Sequence, residues 1–153
     1  MTRTSFYKAS RRLHSDANHL ASDVEQKRSV NAGHFFGLAA ECGLKYLLLL
    51  SGGLQRDSIT GDLTGRSKPH ANQLVDASGL ATNYRALVSG HTHSKYFADT
   101  PSLAGLQSWK AEYRYYDEDH SDYPKSSEQD WKTASYEIQS ALDAAMLDGH
   151  PIY

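Results

Sequence analysis

Asn31-Ala-Gly-His-Phe-Phe-Gly-Leu-Ala-Ala-Glu-Cys-Gly-Leu-Lys45 is the stretch on which the fold turns. It reads as an apolar helix with one acid, Glu41, and one base, Lys45, set into a core-like run that continues through Leu50 to Ser51-Gly-Gly53. Ser29 or Asn31 suits the start, because a short polar side chain accepts from the unpaired amides of a first helical turn. The glycines suit the end, since they adopt the left-handed backbone that closes helices. Apolar residues lie nearly all round, so the spacing predicts the central, most buried helix over about 31–50.

Outward from this segment the chain reads as helices and connections. Phe6, Ala9, Leu13, Ala17, Leu20, Ala21 and Val24 recur at spacings of three and four, opposite Arg11, Arg12, Asp16, Asp23 and Glu25, which makes an amphipathic first helix. The region of about 51–68 is rich in Gly, Ser, Thr and Asp and reads as a long exposed connection. A third helix is expected from Pro69 or His70, which helps to start it, to about Ser89, with Gly79 as its weak point. Thr100-Pro101 announces a fourth, carrying Leu103, Leu106, Trp109 and Tyr113. Pro124 and a capping box from Ser126 to Gln129 open a fifth, whose face is Trp131, Ala134, Ile138, Ala141, Leu142, Ala145 and Met146, and Gly149-His-Pro151 ends it. No segment alternates as a strand and no repeat is visible. The expected fold is all-α: one domain over 1–153, an up-and-down bundle of four to five helices.

The chain has 153 residues, 39% hydrophobic and 10% aromatic, with ten Tyr, which suits a folded domain with a real core. A net charge of −2 and an isoelectric point near 6.4 remove any bulk electrostatic drive toward nucleic acid, so RNA contact has to be local. The lone Cys42 cannot form an internal disulfide, which points to a reducing, cytoplasmic setting. The start lacks an apolar signal core, and Gly43 to Leu50, interrupted by Lys45, is too short to span a bilayer, so no membrane role is expected.

The chemistry-bearing residues fall into few groups. An acid on a nearly all-apolar helix needs a cation or donors, and Glu41 is expected to pair with Arg114, the alternative being Lys45 one turn on. The second unusual stretch, Trp109-Lys-Ala-Glu-Tyr-Arg-Tyr-Tyr-Asp-Glu-Asp-His120, supplies Arg114 and His120. Between them Asp117, Glu118 and Asp119 repel phosphate unless they point away. His34 reads as a core or interface histidine, with Gly33 and Gly37 permitting close approach of another backbone. Lys8, Arg11 and Arg12 read as a solvated helix face. His91-Thr-His93 and Asp117-Glu-Asp-His120 with Asp122 lack the fuller spacing of zinc or calcium sites, and neither a metal nor a cofactor is expected. P-loop, dinucleotide and nucleophile-elbow signatures do not occur.

Ala39-Ala-Glu-Cys-Gly-Leu-Lys45 after Asn31-Ala-Gly-His34, followed by Lys68-Pro-His70 and by Trp109 with Arg114-Tyr115, resembles the HEPN domain family over roughly Tyr7 to Met146. The resemblance implies a small helical bundle. It also implies a metal-independent RNA endonuclease of a toxin–antitoxin or defence system, with Arg114 and His120 as its Arg-x5-His motif. In such an enzyme His moves a proton at the ribose hydroxyl or leaving oxygen while Arg meets charge on the phosphate. Residues six apart on one helix lie about 120° apart around its axis, so a homodimer that brings two motifs to one cleft is expected. Tyr115 and Tyr123 stand beside the motif as supporting residues. Catalytic members usually carry a small polar residue after the Arg, whereas Arg114-Tyr115 looks like the branch associated with nucleotidyltransferases. The alternative expectation is therefore a non-catalytic HEPN module that binds nucleotide, RNA or a partner such as a nucleotidyltransferase or an antitoxin.

Overall fold

The computed structural model describes residues 5–23, 28–64, 69–76, 93, 95–98 and 100–152. Helix α1, Phe6–Ser22, starts at Ser5, whose hydroxyl accepts the Lys8 amide at 3.3 Å. Helix α2, Ser29–Ser51, ends at Gly52 with φ 86°, the left-handed closure its sequence called for. Short helices α3, Ala71–Val75, and α4, Lys95–Ala98, follow, and α5, Glu128–Leu147, ends before Gly149 with φ 81°. Among the described residues there is no strand, only one isolated antiparallel bridge between Arg56 and Leu63 inside the connection that follows α2. Among the described residues no helix is long and apolar enough to cross a membrane.

The long helices α1 and α5 both pack on α2, which explains why α2 is apolar on nearly every side. A polar pin runs through all three: Gln139 donates to the Ser10 hydroxyl at 2.9 Å, and Ser10 donates to the Ala39 carbonyl at 2.7 Å. The small residues of α2 admit side chains rather than the backbone expected of them. A Cβ on Gly37 would overlap the Trp109 indole, one on Gly43 would overlap Ile138, and one on Gly33 would lie 2.7 Å from the Tyr123 hydroxyl. Trp109 and Trp131, both fully buried, are the largest side chains of the resulting core.

The expected fourth helix is different in kind. The segment forms two 3-10 helices, Pro101–Ser108 and Ala111–Tyr115, separated by extended backbone at Trp109 and Lys110, with ψ of 137° and 143°. The break lets the indole of Trp109 reach Gly37, while Trp131 donates to the Ser108 hydroxyl at 3.0 Å and holds the chain there. Burying one large ring outweighs the regular hydrogen bonds of a continued helix. The third helix stops at Val75, because Asp76 turns extended at ψ 172°; the rest of the expected span to Ser89 lies outside the described residues. Before α5 a 3-10 turn, Lys125–Ser127, replaces the expected capping box, and the Ser127 hydroxyl caps nothing.

Candidate functional site

Glu41 is where α2 breaks its apolar pattern, and it is only 3% exposed. Its partner is Lys45, not Arg114: the Lys45 ammonium donates at 2.5 Å, and Lys45 is itself only 6% exposed. The pairing follows from geometry, since residues four apart on a helix share a face, but its setting is the interior rather than a solvated surface. The other carboxylate oxygen accepts the Ala71 amide at 3.0 Å and faces the His70 Nδ1 at 3.3 Å. Glu41 thus holds the start of α3 against α2, and His70 does stand at that start as its N-cap residue.

Arg114 lies in the last turn of the second 3-10 helix and is exposed, its guanidinium carbon 4.6 Å over the ring of Tyr115, itself 75% exposed. His120 lies beyond, exposed and stacked flat on Tyr116 with ring centres 3.8 Å apart. The two candidates do not share a helix, and among the described residues no hydrogen bond or ion pair joins them. The Asp122 amide donates to the His120 Nδ1 at 3.2 Å, so the neutral ring carries its hydrogen on Nε2, which faces no protein partner among the described residues. A full acid–base cycle on this ring has to break that bond.

The acids around the pair behave unequally. Glu118 is drawn inward and accepts the Ser29 amide at 3.1 Å, occupying the start of α2 where Arg28 provides no side-chain cap. Asp117, Asp119 and Asp122 remain exposed. Tyr123 is buried, and its hydroxyl donates to Glu128 at 2.7 Å; burial and that carboxylate push its pKa upward. Its ring packs edge-on to Tyr113 and Trp131, so its place is in the core rather than at the exposed motif.

His34 is buried, in keeping with its reading as a core or interface histidine. His34 stacks on Trp109 with ring centres 5.5 Å apart, and neither His34 Nδ1 nor Trp109 Nε1 has a hydrogen-bond partner among the described residues. Burial, and then the positive charge of Arg114, bring the His34 pKa down to about 4 against an opposing pull from Glu41. Arg114 and Glu41 therefore both act on His34 although they do not touch. Burial pushes the Cys42 thiol up to about 11, which leaves it protonated and unreactive. No three His, Cys, Asp or Glu side chains gather as metal ligands among the described residues, and His91 lies outside them. Comparison with family models, curated proteins and solved structures finds no match to this chain.

Proposed function

We propose that this chain is a HEPN-like helical module that binds unpaired RNA on its 114–120 segment and works as a homodimer. The observation that carries the reading is the pairing of cation and ring on one exposed segment: Arg114 over Tyr115, and His120 flat on Tyr116. Exposed aromatic faces stack on bases, and arginine adds phosphate or stacking contacts. With Asp117 and Asp119 also exposed, phosphate attraction is weak and stacking supplies most of the affinity.

A second reading, the metal-independent ribonuclease, draws support from the His120 Nε2 hydrogen, which is free to meet a phosphate oxygen. In that reading the base that removes the ribose proton comes from another group, the second copy of the chain being its natural source. One experiment separates the two. Fluorescence anisotropy with a labelled, unstructured oligoribonucleotide should show binding that Tyr115→Ala weakens by about tenfold or more, the value of one lost stack. Incubating wild type and His120→Ala with cellular RNA in EDTA then reads chemistry: intact RNA in both supports the binding module, and cleavage lost in the variant supports the ribonuclease. If neither binding nor cleavage is measured, both readings fall.

A further inference from the structure

Past the C-terminal end of α5, two histidines far apart in sequence come together. His93 and His150 are both half-buried, and their ring centres lie 5.1 Å apart. The backbone sets each of them. His150 is placed by the closure of α5: with Gly149 at φ 81°, the Gly149 amide donates to the Met146 carbonyl at 2.9 Å and the His150 amide to the Ala145 carbonyl at 3.2 Å. The Tyr46 hydroxyl then donates to the Pro151 carbonyl at 3.1 Å and holds the chain that follows. On the other side the His93 carbonyl accepts the Tyr96 amide at 3.2 Å, which ties His93 to the start of α4. Asp148 clamps the two supports together, accepting the hydroxyl of buried Tyr96 and pairing with the Lys95 ammonium at 2.6 Å.

Two imidazoles that bind one tetrahedral ion through nitrogens at about 2.0–2.1 Å have ring centres roughly 5.2 Å apart. The spacing of His93 and His150 meets that requirement before any ion arrives. The Tyr96 ring packs against both, 6.1 Å from His93 and 5.7 Å edge-on from His150, so the pair is held from one side. The carbonyl end of a long helix and the Asp148 carboxylate both favour positive charge nearby. Among the described residues no third His, Cys, Asp or Glu completes the set, so water takes the remaining positions.

We propose that His93 and His150 form a transition-metal site of the zinc class, whose ion cross-links the start of α4 to the segment after α5. Imidazole nitrogen suits zinc, copper and nickel rather than the hard cations. The site uses none of Arg114, Tyr115 and His120, so it stands or falls apart from the RNA reading.

Calorimetric titration of the full, EDTA-treated and dialysed chain with zinc chloride tests it, beside NMR of the histidine rings. Expected are one ion per chain with a Kd below about 100 μM, ring signals of His93 and His150 that shift together while those of buried His34 stay, and at least tenfold weaker binding in His93→Gln and in His150→Gln at unchanged circular dichroism. His19→Gln, at an exposed position, should bind zinc as the wild type does. Magnesium chloride should give no binding, because that ion takes oxygen ligands. Absence of zinc binding, binding that survives either variant, equal loss in His19→Gln, or one ion per two chains overturns the proposal. Should a variant lose its fold, the wild-type ring signals decide: shifts confined to other histidines overturn the site, and joint shifts of His93 and His150 uphold it.

Discussion

Glu41 and Lys45 place two opposite charges side by side in the interior, at 3% and 6% exposure. Such a pair adds little net stability against an apolar replacement, yet losing one member strands the other without water. Glu41→Ala is therefore expected to cost about 3–5 kcal/mol in denaturant unfolding, and Lys45→Met in the same chain should recover much of it. If the two substitutions simply add, the pairing has no energetic content. His34 gives a second test. Its pKa in the fold, about 4, lies below the 6.5 of an ordinary imidazole, so the unfolded chain takes up its proton first. The stability it contributes is fully present above about pH 6.5 and is lost as pH falls toward 4. Its ring signals in NMR should stay neutral until about pH 4, and His34→Gln should flatten the stability profile across that window. A midpoint near 6.5 would mean that the ring is not buried beside Arg114.

Among the elements, α2 organises the rest because three of its glycines yield space to side chains from elsewhere in the chain. Gly37 accommodates Trp109, Gly43 accommodates Ile138 and Gly33 accommodates Tyr123. Gly37→Ala forces the indole to move in a fully packed core, and overpacking of this kind costs about 1–3 kcal/mol. The expected signature is a lower denaturation midpoint together with a shifted tryptophan emission. A neutral effect on both would show that Trp109 can repack. The same contact accounts for the broken fourth helix. Its apolar residues have helical spacing, but Trp109 reaches Gly37 only if the backbone goes extended on either side of it.

At the scale of the whole molecule, a net charge of −2 and the exposed acids near Arg114 limit how strongly RNA can be attracted through space. In the proposed binding mode the logarithm of the RNA affinity should fall against the logarithm of salt with a slope of about −1, since single strands contribute about −0.7 per neutralised phosphate. A slope of about −4 or steeper would point to a basic face the structure does not offer there. Sedimentation equilibrium should show the proposed homodimer, and a monomer at every concentration would remove it. The sequence by itself determined the helical class, the central place of α2, its closure at Gly52 and the amphipathic faces of α1 and α5, because periodicity and glycine punctuation are local properties. It also placed Glu41 and Lys45 one turn apart, and so held their pairing as an alternative to Arg114. Only the tertiary structure decided that this pair is buried and tied to α3, that Arg114 and His120 rest on different tyrosines, and that His34 lies on Trp109. Those outcomes depend on which distant rings enter the spaces left by Gly33 and Gly37, and packing between residues far apart in sequence leaves no periodic trace along the chain.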